Sequence, residues 1–167
     1  MMRLPVRITL LVVLTAASLS VAWIVNRASS SGNMSSRIQL GSQLHFPAID
    51  FGSADHTLLI FSNSACQYCI DNLDLYRSLL TETSSMARAI PIVMLSAEPV
   101  ETFRLFMKRH GMNPSQIVSL NPSQLGVRIV PTILLVDRSG RVKRVWVGRK
   151  SKETQSAILS AVQNTQY

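Results

Sequence analysis

The stretch LLIFSNSACQYC, Leu58 to Cys69, ends on the two cysteines of a 167-residue chain. It opens inside the apolar run HTLLIF, which is short, unbroken and of the type that forms a strand buried on both faces. Ser64 is followed three residues later by Gln67, a capping-box spacing that predicts a helix starting near Ala65. Cys69, Leu73, Tyr76 and Leu80 then recur at intervals of four, three and four, which gives that helix one apolar face. Cys66 is thereby expected in the first turn, and Cys69 on the covered face one turn later.

Outward from this junction the chain alternates strand-like and helix-like patterns, which argues for α/β layering. IPIVMLSA, Ile90 to Ala97, reads as a second buried strand. Pro99 suits a helix start, and Val100, Phe103, Phe106 or Met107, and His110 mark one face before Gly111 ends it. IVSL, Ile117 to Leu120, is a third short strand. NPSQLGVRIVP holds a helical turn before Pro131, and TILLVD with RVKRVWV, joined by Arg138-Ser139-Gly140, reads as an antiparallel hairpin. Strict alternation along its second strand would put Val142 and Trp146 on one face and Val145 with Val147 on the other. A last helix runs from Ser151, a cap, through Ala157, Ile158, Ala161 and Val162. The predicted order is βαβαβ, a turn, then ββα.

With 47% apolar residues the chain can bury a core without covalent help, so the two cysteines are not needed for folding. The net charge is +8, and three of the 17 Lys/Arg (Arg3, Arg7 and Arg27) flank one apolar run, leaving fourteen against nine Asp/Glu. That remainder is no more basic than many domains that never touch nucleic acid, and no nucleic-acid partner is expected. The run itself, ITLLVVLTAASLSVAWIV from Ile8 to Val25, is eighteen residues without a charge. As a helix it would reach about 27 Å, close to the hydrocarbon thickness of a bilayer. A cleaved signal peptide competes, since Thr15-Ala16-Ala17 offers small residues, but apolarity continues through Val21 and Trp23. The reading taken is an uncleaved signal anchor at 8–25 with a cytoplasmic lead at 1–7. The excess of Arg before the span puts the bulk of the chain outside the cytoplasm, where disulfide chemistry is permitted. Residues 26–36, rich in Ser, Gly and Asn, form a tether to a domain at 37–167.

Three uses of the cysteine pair compete. A structural zinc site would need two further ligands, and His45, His56 and His110 lack the spacing to supply them, so no metal is expected. A staple stabilises little across so short a loop. A redox pair gains from position: the first turn of a helix presents unpaired N–H groups and the positive end of the dipole, both of which favour a thiolate. Cys66 is then the nucleophile, and Cys69 the thiol that attacks the mixed disulfide. A CxxC at a strand-to-helix junction in a βαβ setting is a specific signal for this chemistry.

LLIFSNSACQYC, together with VPTILLVDRSGRV from Val130 and the terminal helix, resembles the thioredoxin superfamily, and more closely its membrane-anchored, extracytoplasmic TlpA/ResA-like thiol-disulfide oxidoreductases. The helix and short strand between IPIVMLSA and VPT are similar to the insertion in those proteins and in peroxiredoxin-like relatives. The resemblance covers about Phe46 to Val162. It implies a thioredoxin-like fold, a mixed sheet flanked by helices, and a cis peptide at Val130-Pro131 lying against the cysteines. It also implies that the Val130 backbone pairs with an extended substrate, and that Gln67 and Tyr68, inside the CxxC, shape the rim. The expected partners are protein thiols and disulfides and a membrane or periplasmic redox protein, with no cofactor beyond the cysteines. The anchor and insertion favour reduction as the direction.

The departures from that pattern carry weight. Ala65 stands where thioredoxins carry Trp, Ile60 where they carry a buried acid, and Asn72 where ResA-like proteins carry Glu. Proton transfer to Cys69 then lacks its usual carboxylate, for which Asp71 or Asp74 are candidates. The missing acid raises the alternative of a non-catalytic thioredoxin-fold binding or assembly module. The insertion raises a thiol peroxidase, against which Asn63 stands where the TxxC threonine belongs. The cluster Arg138, Arg141, Lys143, Arg144, Arg149, Lys150 and Lys152 reads as charges that guard an edge strand and solvate a helix start, or as a dock for an acidic partner or anionic lipid.

Overall fold

The computed structural model describes residues 38–85 and 89–166, so the predicted cytoplasmic lead, anchor and tether lie outside the described residues. Among the described residues no helix is long and apolar enough to cross a membrane. Five strands make one mixed sheet: β1 (His56–Phe61), β2 (Ile92–Ser96), β3 (Gln116–Ser119), β4 (Thr132–Asp137) and β5 (Val142–Val147). Their order is β3-β2-β1-β4-β5, with β1, β2 and β3 parallel and β4 and β5 antiparallel to their neighbours.

β1 is central because its residues are apolar on both sides. Leu58 and Ile60 face one core cluster, Leu59 and Phe61 the other, and all four are fully buried. The first cluster takes the helices α2 (Leu73–Ser85), α3 (Val100–Arg109) and α4 (Lys152–Gln163) through Leu75, Tyr76, Leu79, Phe103, Met107, Ile158 and Val162. Two crossovers of the usual right hand that step the same way across a sheet deliver their helices to the same face, which is where α2 and α3 lie. Among the described residues the opposite face is covered without an α-helix, by Leu44, Ile49 and Phe51 before β1 and by Val127 after a 3-10 turn at Pro122–Leu125. β3 forms one edge of the sheet and β5 the other.

Three expectations are corrected. The helix does not start near Ala65: a four-residue α1 (Gln67–Ile70) is capped by Cys66 itself. Ser64 is unavailable as a cap because its N–H and hydroxyl both donate to Glu98 Oε1, at 2.9 and 2.8 Å. Nor is the helix continuous with α2. It breaks at Asp71-Asn72, where the Asn72 amide bonds the Cys69 carbonyl at 3.2 Å, a three-residue step, and the Asn72 side chain is drawn inward and fully buried. Finally, Val142 shares a cluster with Val145, and Trp146 packs on the other. Leu135 faces Arg144 whereas Val136 faces Val142, so Lys143 is an extra residue that reverses the alternation.

Candidate active site

Cys66 sits between β1 and α1, half-exposed, and Cys69 is buried with no exposed surface; both are free thiols. The loop that carries them is held from two sides. Asn63 Oδ1 accepts the Ala65 amide at 2.8 Å, and Glu98, just beyond β2, accepts twice from Ser64. As the cap, the Cys66 sulfur accepts the Cys69 amide at 3.3 Å, a bond that an anionic sulfur receives more strongly than a thiol.

The Val130-Pro131 peptide is cis, the geometry the resemblance implied. It brings the Val130 carbonyl 3.7 Å from Cys66 Sγ, within reach of the thiol as donor. Pro131 is buried and Val130 half-buried, while Ile129 beside them is 56% exposed. Gln67 and Tyr68 are exposed on the same rim, and the Gln67 amide donates to Asp71 Oδ1 at 3.0 Å. An open cavity of about 450 Å³ runs from Ser62 and Asn63 past Val130 to Pro122. Cys66, Cys69, Val130 and Pro131 therefore converge. His45, His56 and His110 do not join them: His110 is occupied by edge contact with Phe106, ring centres 4.8 Å apart.

The two thiols differ in environment. Burial, followed by the hydrogen bond with Cys66, pushes the Cys69 pKa up to about 12, with the neighbouring Ser62 hydroxyl opposing. Burial likewise raises Tyr76, whose hydroxyl lies near both sulfurs. The Ser62 and Tyr76 hydroxyls are both buried and close no hydrogen bond of good geometry. Asp71 and Asp74, the candidate acids, are engaged elsewhere: Asp71 pairs with Arg149 at 3.3 Å and Asp74 with Arg77 at 2.7 Å, on the outer side of the helices.

Sequence reasoning missed Lys150. Counted there among surface cations, it is only 4% exposed. Its amide donates to Asn72 Oδ1 at 3.2 Å and its ammonium to the Gly148 carbonyl, and the Gly148 amide in turn donates to the Pro131 carbonyl at 2.7 Å. Burial pulls its pKa down to about 8, while attraction to Cys69 acts in the opposite direction. A single Lys just before a helix cap carries no mark that separates it from its solvated neighbours. Glu98 was also passed over, since its role depends on the packing of β2 beside β1.

No protein-family model matches the sequence, and no curated protein matches it. Solved structures do. StoA from Bacillus subtilis is 18% identical over 64% of this chain and 81% of its own, with a TM-score of 0.52. A thiol:disulfide interchange protein of the thioredoxin family from Chlorobium tepidum is 17% identical over 75% of this chain and 98% of its own, at 0.56. A yeast mitochondrial 1-Cys peroxiredoxin is 15% identical over 77% and 78%, at 0.58. The fold is thioredoxin-like. Within that fold, the CxxC follows the central strand at the start of α1, with the Val130 carbonyl of the cis-proline loop beside Cys66.

Proposed function

We propose that the protein is a membrane-anchored, extracytoplasmic thiol-disulfide oxidoreductase that exchanges disulfides with partner proteins through Cys66 and Cys69, in the direction of partner reduction. The observation that carries this reading is the half-exposed Cys66 sulfur facing the Val130 carbonyl at 3.7 Å, with its companion thiol sealed beneath it. The thiol:disulfide interchange protein from Chlorobium tepidum agrees with it in chemistry, and the apolar run Ile8 to Val25 supports the anchor.

In this mechanism the Cys66 thiolate attacks one sulfur of a partner disulfide. That S–S bond breaks, the other partner sulfur leaves as a thiolate and takes a proton, and a mixed disulfide forms. Cys69 then gives up its proton and attacks Cys66 Sγ. The mixed bond breaks, the second partner sulfur leaves, and two electrons have passed to the partner. The oxidised pair is restored by a dithiol protein. Val130, with Pro131 fixing its loop, offers main-chain groups to an extended partner segment, while Gln67 and Tyr68 border the approach.

A Cys69→Ser variant should accumulate covalent partner adducts that reductant releases, and Cys66→Ser should accumulate none. Wild-type exchange by Cys66→Ser would overturn the proposal. The direction is read from an equilibrium redox titration. Potentials in this fold run from about −270 to −120 mV, a span worth roughly 7 kcal/mol, and a value near the oxidising end would reverse the assignment.

A further inference from the structure

Resting on that reading, we propose that Lys150 accepts the proton of the Cys69 thiol in the resolving step, taking the place of the carboxylate this chain lacks. Cys69 cannot attack as a thiol, and it has no exposed surface through which water could take its proton directly. Among the described residues no Asp or Glu is buried, whereas Lys150 is. Asn72 joins the main chains of Cys69 and Lys150, its backbone amide bonding the Cys69 carbonyl and its Oδ1 the Lys150 backbone amide, each at 3.2 Å, and the Lys150 amine lies close enough to Cys69 to interact with it electrostatically. One of the three ammonium donors is given to the Gly148 carbonyl, at the end of β5 beside the Pro131 loop.

The other groups around the thiol are poorer acceptors. Cys66 is consumed in the mixed disulfide, Ser62 is a neutral hydroxyl, and burial raises the Tyr76 phenol above its ordinary value. Asp71 and Arg149 neutralise each other at the rim. Lys150 is different, because burial leaves part of it as free amine near neutral pH. The step balances: the Cys69 proton passes to Lys150 Nζ, the new ammonium stabilises the thiolate, and the sulfur electron pair forms the bond to Cys66 as the partner sulfur leaves. The ammonium then returns its proton to solvent or to the departing thiolate.

The test is the reaction of the reduced full-length protein with 5,5′-dithiobis(2-nitrobenzoate), followed by stopped flow from pH 6 to 10. Attack by Cys66 releases one coloured thiolate, and resolution by Cys69 releases the second. Lys150→Met should leave the first phase intact, slow the second roughly a hundredfold, and remove its rise with pH around 8. Lys150→Arg, which keeps the charge but cannot accept a proton, should be slow as well. An unchanged second phase in folded Lys150→Met, or a wild-type rate in Lys150→Arg, would overturn the assignment. Should Met at this site prevent folding, checked by thermal melting, Lys150→Gln carries the same expectation. Absence of the first phase in the wild-type protein would instead sink the functional reading itself.

Discussion

The Asn72 side chain accepts the Lys150 amide at 3.2 Å across 78 residues of sequence, joining the break between α1 and α2 to the residue before the α4 cap. Both residues are buried, so the bond cannot be replaced by water. Replacing Asn72 by Leu, similar in volume, should strand a buried N–H and lower stability by about 1–3 kcal/mol. The measurement is the urea midpoint, with an unchanged m-value showing that only the folded state is affected. A midpoint equal to wild type would mean that the amide finds another acceptor.

Lys150 also gives stability a pH signature. Its pKa falls from 10.5 to about 8 on folding, chiefly by burial, so above pH 8 the folded chain has released a proton that the unfolded chain keeps. Stability therefore rises with pH from about 8. Cys69 acts oppositely: unfolded it ionises near 9.0, folded it is held at about 12 by burial, so its contribution is lost as pH rises from 9 toward 12. The reduced wild-type protein should gain stability between pH 8 and 9, level off to about 10, and then decline as Tyr76, also raised by burial, joins Cys69. Unfolding curves of Lys150→Met should lack the early gain, and a wild-type gain in that variant would contradict the assignment of this proton.

The parts of this molecule that were legible beforehand are those in which local pattern and tertiary environment ask for the same residue. β1 shows it: Leu58 through Phe61 are apolar because both sheet faces bury them, and the run reads as a central strand without reference to its neighbours. Ser151 caps α4 as its type suggests, with Oγ 3.3 Å from the Thr154 amide. Ser64 carries an equally good local signal, yet it is claimed by Glu98, 34 residues away, and Cys66 does the capping. The two cysteines were legible by spacing, whereas Lys150 and Glu98 acquire their roles only through contacts between elements. Strict alternation failed in β5 for a comparable reason, since a bulge at Lys143 is set by pairing with β4.

Glu98 is the brace of the cysteine loop, and its removal should be felt there. Oε1 receives both the Ser64 amide and hydroxyl, while Oε2 is buried without a partner. Glu98→Ala forfeits two hydrogen bonds to a charged acceptor and should cost about 2–4 kcal/mol. Glu98→Gln, which keeps an oxygen in place, should lose less than half of that. A melting temperature of Glu98→Ala equal to wild type would show that the loop is held by Asn63 and the sulfur cap alone.

At the far end of the hairpin, Gly140 marks where the segment before β1 locks onto β5. Its φ is +83°, and its carbonyl accepts the Leu44 amide at 2.8 Å. Gly41 and Ser42 exchange main-chain bonds with Val142 at 2.8 and 2.9 Å, so this segment covers an otherwise open strand start. A Cβ added at Gly140 would lie 2.6 Å from the Leu44 carbonyl oxygen, a backbone atom that can yield only by withdrawing the segment. Gly140→Ala therefore combines left-handed strain, about 1 kcal/mol, with loss of that docking, and the total should reach about 2–3 kcal/mol. Hydrogen exchange at the Leu44 and Val142 amides should quicken in the variant while that of Leu58 to Phe61 stays slow. Uniform acceleration across β1 would mean that the segment is part of the global folding unit, and unchanged protection at Leu44 would mean that the hairpin tip absorbs the added methyl.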